Sequence, residues 1–266
     1  MIVYPNAKIN LGLNVVERRV DGYHNLESVF FPVAIRDMLE IVELPEGEGD
    51  YEWHCDGMAI DCDLESNICI KAYRLLQKEY QLPRVGIYLY KNIPMGAGMG
   101  GGSSDGAFVL KALNDMFGLG MSKVELISKA AQIGADCAFF IENKPSYVTG
   151  IGDKLEHFDI DLSGYYLVVC KPDVHISTAE AYRGITPKPS KENVRDILRR
   201  PINEWKDLLV NDFEESIFKN HPEIKATKDM MYECGAIYSS MSGSGSAVYG
   251  IFDKEITLEG GITLKL

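Results

Sequence analysis

"IPMGAGMGGGSSDGAFVLKALN", Ile93–Asn114, packs six glycines and two serines between a strand-patterned segment and a helix-patterned one. Upstream, "VGIYLYKNIP" (Val85–Pro94) reads as a strong strand. Downstream, Ala107, Leu110, Leu113 and Phe117 recur at three- and four-residue intervals, predicting an amphipathic helix over Ser104–Phe117 that ends near Gly118. Ordering so much glycine is entropically unfavourable. A strand, turn and helix start of this kind nevertheless makes an anion site: the first helical turn leaves N–H groups unpaired, the helix dipole adds partial positive charge, and glycine lets a phosphate approach the backbone. The loop therefore reads as a polyphosphate cradle, with a flexible turn or close-packing glycines as the plain alternative. It is not a Walker-type loop, because Gly102 stands before Ser103 where that motif needs lysine. A dinucleotide fold would want an acid about 20 residues on at a strand end, and Asp115 and Glu125 fall in helical pattern instead.

Composition narrows the partners. The 266 residues are 46% hydrophobic with a formal charge of −12, enough for a sizeable core and for one large or two modest domains. That charge argues against nucleic acid or an anionic membrane held by bulk attraction and favours a small molecule. "MIVYPNAKINLGLNVVERR" lacks the basic leader and apolar core of a signal peptide, and no run approaches the roughly 20 apolar residues of a bilayer span. A cytoplasmic protein is expected. Cys55, Cys62, Cys69, Cys137, Cys170 and Cys234 form no C-x-x-C pair, so buried reduced thiols are expected rather than a structural metal.

Strands are predicted in "AKINLGLNVV" (7–16), "SVFFPVAI" (28–35) and "DMLEIVEL" (37–44), and a helix in "NICIKAYRLLQKEY" (67–80). A second helix follows the loop at "SKVELISKAAQIG" (122–134), with Ser122 as N-cap and Gly134 near its end. The second half offers a strand in "YYLVVCKPD" (165–173), a charged stretch over 186–200, helical spacing around "WKDLLVNDFEESIF" (205–218), and strand, glycine turn, strand in "AIYSSMSGSGSAVYGIF" (236–252). A soft boundary falls at Asp159–Leu162. The fold class is α+β in two lobes, 1–159 and 160–266.

Phosphoryl transfer needs a group that prepares the attacking oxygen and cations that offset developing charge. Asp136 is a lone carboxylate in the apolar "AAQIGADCAFFIE", and Lys8 sits in strand-like apolar context. Each alone reads as a helix-end cap or a strand-edge lysine; with the loop they suggest a Lys and Asp pair facing the γ-phosphate. The second glycine turn, Gly243, Ser244 and Gly245, is either a plain hairpin or a cover over the same site.

"PNAKINLGL" (5–13), "DGYHNLESVF" (21–30), "GMGGGSSD" (98–105), "GADCAFF" (134–140) and "MSGSGSAVYG" (241–250), in this order, resemble the GHMP kinase superfamily, and within it the kinases that act on 4-diphosphocytidyl-2-C-methyl-D-erythritol in the non-mevalonate route to isoprenoid precursors. The resemblance covers nearly the whole chain. It implies an N-terminal ribosomal protein S5 domain 2-like lobe that binds ATP and a C-terminal ferredoxin-like lobe, shortened at its end because "YGIFDKEITLEGGITLKL" leaves no helix before the last strand. It implies Asp136 as the base that takes the acceptor hydroxyl's proton and Lys8 as the residue that orients that hydroxyl; a lysine beside the aspartate keeps it ionised, so it acts more as an orienter than as a strong base. Asn10 would lie beside the methylerythritol. Tyr23, His24 and Tyr182, with Thr178, would bind the cytidyl substrate, the cytosine held between rings and read at its polar edge. Without the resemblance, Tyr23 and Tyr182 read as packing aromatics and His24 as a turn histidine. ATP would meet Asn67 and Lys91 near the adenine, and Pro94, Gly96, Gly98, Gly100, Gly101, Gly102, Ser103 and Ser104 around the phosphates. Magnesium would accompany it with no protein ligand assigned. The implied protein is a monomer or homodimer that binds neither nucleic acid nor membrane. Another small-molecule kinase of the superfamily, or a nucleotide-binding protein without catalysis, are the alternatives.

Overall fold

The computed structural model describes residues 1–60, 62–190 and 192–266; Lys191, in the charged stretch expected at 186–200, lies outside them. Strands in the first part of the chain are β1 (Ile2–Val3), β2 (Asn6–Arg18), β3 (His24–Arg36), β4 (Met38–Glu43), β5 (Tyr51–Gly57) and β6 (Val85–Lys91). Later come β7 (Ser146–Thr149), β8 (Lys154–His157), β9 (Tyr166–Cys170), β10 (Tyr238–Met241), β11 (Val248–Phe252) and β12 (Gly261–Lys265). The α-helices are α1 (Ile68–Gln77), α2 (Gly101–Met116), α3 (Lys123–Ile133), α4 (Cys137–Glu142), α5 (Thr178–Arg183), α6 (Val194–Leu198), α7 (Phe213–Asn220) and α8 (Pro222–Glu233). They form two compact units: Met1–Ala7, Ala34–Met95 and Gly100–Lys144 make the first, and Lys8–Val33, Gly96–Met99 and Pro145–Leu266 the second.

The first unit carries a sheet of order β1-β4-β6-β5. Strands β4 and β6 are antiparallel, with Leu39 opposite Leu89 and Ile41 opposite Ile87, all four buried. Strand β5 runs parallel to β6, which requires a crossover, and α1 supplies it. On α1, Cys69, Ile70, Ala72, Tyr73 and Leu76 are buried, the stripe that its spacing predicts, and they face α2. The α3 start carries a reciprocal cap, with the Ser122 hydroxyl accepting from Glu125 N–H and the Glu125 carboxylate accepting from Ser122 N–H, worth about 1 kcal/mol. Helix α2 begins three residues before the expected Ser104, so two of the three consecutive glycines are its first turn. Gly101 is there for packing: a Cβ on it would stand 2.8 Å from Ile93 Cγ2 and 2.9 Å from Lys91 Nζ.

The second unit holds two sheets, β2-β3-β7-β8 and β10-β11-β9-β12. Strand β2 is buried without a break from Asn6 to Leu13, as a strand covered on both faces must be. Helices α7 and α8 pack on each other, and α8 covers β10 and β11. The core here joins Leu13 and Val15 of β2 to Val168, Phe213, Ile217, Met231, Met241 and Phe252. Strands β10 and β11 form the expected hairpin, with Met241 opposite Val248. Among the described residues no helix separates β11 from β12, and β12 pairs with β9 on the side away from β11, which matches the direct passage read from "YGIFDKEITLEGGITLKL".

Two local expectations change. The helix expected around 205–218 is broken, because Leu13 N–H donates to Val210 O at 2.9 Å and Asp212 N–H to Leu13 O at 2.8 Å; residues 210–212 are drawn onto β2 and α7 starts only at Phe213. Helix α8 was not expected at all. Its buried apolar residues are Ile224 and Met231, too few to print a periodic stripe. Among the described residues no helix is long and apolar enough to cross a membrane.

Candidate functional site

In the first unit, the strand β6 ends at Lys91, whose side chain is wholly buried. Its ammonium donates to Asp37 Oδ2 and, at 2.7 Å, to Asp105 Oδ2. Asp37 Oδ1 accepts from Asn92 N–H at 2.6 Å and Ile93 N–H at 2.7 Å. The triad thus ties the end of β6 to the first turns of α2 and to the β3–β4 junction, and it fixes where the glycine loop leaves and re-enters regular structure. Burial pushes the Asp105 carboxyl up to about 8 against the pull of Lys91. Burial lowers Lys91, but the charges of Asp105 and Asp37 outweigh it and leave the ammonium above its ordinary value. The Lys91 charge is therefore committed to the protein. Asn67, expected near the adenine, is buried and uses its side-chain oxygen to cap α1, accepting from Cys69 N–H at 2.9 Å.

The α2 terminus itself has no side-chain cap: its N-cap is Gly100, in the left-handed region at φ +69°. The N–H groups of its first turn are open to a ligand, the condition for anion binding. Ser104 Oγ is buried with no hydrogen-bond partner among the described residues, a costly state unless a ligand completes it. Ser103 lies nearby, half-buried, as is Pro94 at the loop's start. Asp136 is the N-cap residue of α4 by position, yet its carboxylate makes no cap hydrogen bond and is half-buried.

The second unit brings three of the sequence motifs together. Lys8 Nζ donates to Asn10 Oδ1 at 2.6 Å and lies 4.3 Å above the Phe30 ring, while Lys8 N–H donates to Met99 O at 2.9 Å. Asn10 Nδ2 donates to Ser28 Oγ at 2.9 Å, and the Ser28 hydroxyl in turn donates to Gly12 O at 2.6 Å. Ser242 Oγ accepts from Asn10 N–H at 3.3 Å and donates to Gly98 O at 2.9 Å. Gly96 and Gly98 have φ of +60° and +70°, and Gly96 runs so close to the His175 ring that a Cβ would sit 2.5 Å from its Nδ1. The second glycine turn is a hairpin and also touches the first loop: a Cβ on Gly243 would lie 3.1 Å from Gly98 Cα and 3.4 Å from Asn10 Oδ1.

Also in this unit, His24 and Tyr182 stack with ring centres 4.9 Å apart and planes 24° apart, and Tyr182 meets Phe213 edge-on at 4.9 Å. Tyr23 is exposed, its N–H donating to Asp21 Oδ1 at 3.1 Å. Thr178 opens α5, exposed, one turn before Tyr182. Asp37, Asp105, Ser242 and His175 were missed by sequence reasoning. Only Asp105, placed directly after the loop serines, carried a local signal.

The chain matches two family models: GHMP kinases N terminal domain over residues 67–144, and GHMP kinases C terminal over 193–259. A 4-diphosphocytidyl-2-C-methyl-D-erythritol kinase of Bacteroides thetaiotaomicron is 51% identical over 97% of this chain and 94% of its own length. A crystal structure of a 4-(cytidine 5'-diphospho)-2C-methyl-D-erythritol kinase superposes with a TM-score of 0.81 at 32% identity, covering 94% of this chain and 89% of that one. A mevalonate kinase structure, at 14% identity and TM-score 0.67 over 95% of this chain and 91% of its own, shares the fold. With identity that high along nearly the full length, and with both glycine loops and the AKIN strand assembled as above, the chain belongs to the GHMP kinases and, within them, to the family of 4-diphosphocytidyl-2-C-methyl-D-erythritol kinases.

Proposed function

We propose that this protein transfers the γ-phosphoryl group of ATP to the 2-hydroxyl of 4-diphosphocytidyl-2-C-methyl-D-erythritol, giving the 2-phosphate and ADP, in the cytoplasmic non-mevalonate route to isoprenoid precursors. The observation that carries it is the joining of Lys8 and Asn10 to both glycine turns through Ser242. In this reading Lys8, held by Asn10, orients the acceptor hydroxyl, and Asp136 takes its proton as the O–P bond forms. Asn10 spends its side chain on Lys8 and Ser28, so it acts on the sugar alcohol by fixing the ammonium. Thr178, Tyr23, His24 and Tyr182 would bind the cytidyl part. The lobes proposed from the resemblance are 1–159 for ATP and 160–266 for the remainder.

The residues fit a nucleotide triphosphate. Gly96, Gly98, Gly100, Gly101 and Gly102 open the backbone, while the uncapped α2 terminus and the Ser103 and Ser104 hydroxyls offer donors. Asn67, Lys91 and Pro94 frame the nucleotide end, Lys91 by placing the end of β6 rather than by its charge. Magnesium would accompany the nucleotide, carried mainly by its phosphates and water. Bound there, the ion would neutralise charge on the transferring phosphoryl group.

An ATP-consumption assay with magnesium, offering the cytidyl compound, mevalonate and homoserine separately with product mass as readout, tests the proposal. Turnover with the cytidyl compound only is expected. Turnover with another acceptor would discard the base-reading roles of Tyr23, His24 and Tyr182.

A further inference from the structure

Asn211 is 3% exposed and sits in the break between the Trp205–Leu209 turn and α7. Its Nδ2 donates to Met241 O and to Gly243 O, each at 2.8 Å, and its Oδ1 accepts from Phe213 N–H at 3.0 Å. Carbonyl oxygens only accept, so the amide can face them with its nitrogen alone and its orientation is fixed by the network. The two carbonyls flank Ser242, the residue whose hydroxyl links Asn10 and Gly98. The backbone on either side of Asn211 is bound to β2: Leu13 N–H to Val210 O, Asp212 N–H to Leu13 O, and Val15 N–H to Asp212 Oδ2 at 2.7 Å. Strand β2 carries Lys8 and Asn10. Glu214 completes the frame, its Oε1 accepting from Met241 N–H at 2.8 Å and its Oε2 from Lys228 Nζ at 2.6 Å.

We propose that Asn211 is a positioning residue for phosphoryl transfer: its amide holds the 241–242 and 243–244 peptide units, the carbonyls of the two residues that flank Ser242, and so sets the second glycine turn in register with the strand that presents Lys8 and Asn10. A fully used, buried amide holds its neighbours rigidly, and displacement of a reacting group by about 1 Å costs about 100-fold in rate. This rests on the kinase reading above and adds to it a residue outside every motif of the resemblance.

The test is Asn211→Asp, which keeps the shape but turns two donors into an acceptor facing two carbonyl oxygens, beside Asn211→Ser, which keeps one donor. The wild-type enzyme is first shown to turn over the cytidyl compound; if it does not, the kinase reading fails and not this one. With both substrates saturating, kcat of Asn211→Asp should fall about 100-fold while the KM for ATP changes less than about threefold, with Asn211→Ser intermediate and the circular-dichroism spectra unchanged. A folded Asn211→Asp with kcat within about threefold of wild type would overturn the proposal, as would a loss confined to KM. If both variants fail to fold, Asn211 serves the fold alone and the proposal is wrong.

Discussion

The backbone of Gly98 runs so close to Ser242 that a Cβ on residue 98 would stand 1.9 Å from the Ser242 carbonyl oxygen. With the Ser242 Oγ to Gly98 O hydrogen bond at 2.9 Å, this approach joins the two glycine turns into one piece of the second unit. Gly98→Ala should therefore fail on two counts, the left-handed φ of +70° and the clash with rigid backbone. The strained backbone alone costs about 1–3 kcal/mol. Urea unfolding and kcat read together should show loss of both; unchanged activity would show that the turns need not touch.

Gly102→Ala is the contrasting case. Gly102 lies in the first turn of α2, and the nearest atom to a new Cβ is 3.9 Å away. Alanine there should raise stability by about 0.5–1 kcal/mol through helix propensity and raise the KM for ATP by crowding the phosphates. A more stable protein with unaltered KM for ATP would move the phosphates away from this turn.

The buried triad makes a pH prediction. An aspartate whose folded pKa of about 8 exceeds its ordinary value of 3.8 binds more protons folded than unfolded between those values, so its contribution to stability falls as pH rises through that window. Asp105→Asn, neutral throughout, should gain on wild type progressively from about pH 5 to about pH 8 in chemical unfolding. A difference independent of pH would mean that Asp105 ionises as an ordinary carboxyl. Lys91→Met, which leaves the buried Asp37 and Asp105 side chains without the ammonium that bonds both, should cost about 3–5 kcal/mol at neutral pH.

Asp136→Asn should abolish turnover and leave ATP binding, measured by calorimetry, close to wild type. Surviving turnover would remove Asp136 from the proton transfer.

Tyr182→Ala should weaken the KM for the cytidyl substrate by about 1–3 kcal/mol, the worth of an aromatic stack on a base, with little effect on ATP. Tyr182→Phe keeps the ring that packs on His24 and Phe213 and should retain most of the affinity. An unchanged KM in the alanine variant would take Tyr182 out of the pocket.

Local sequence determined what local physics encodes. The period-2 run of β6, the glycine loop, the stripe of α1 and the Ser122 cap depend on residues within a turn or two of each other, and each is found where expected. The AKIN strand and the "MSGSGSAVYG" hairpin were legible for the same reason. What only the tertiary structure decided are pairings between distant segments. Nothing near Lys91 announces that Asp37 and Asp105 will neutralise it, and the helical spacing of 205–218 gives no warning that residues 210–212 will bind to β2, because strand pairing is set by a partner remote in the chain. The role of Ser242 as the link between Asn10 and Gly98 is decided the same way: a serine in a glycine turn is commonplace in sequence, and its partners are chosen by how the strands on either side of it pack.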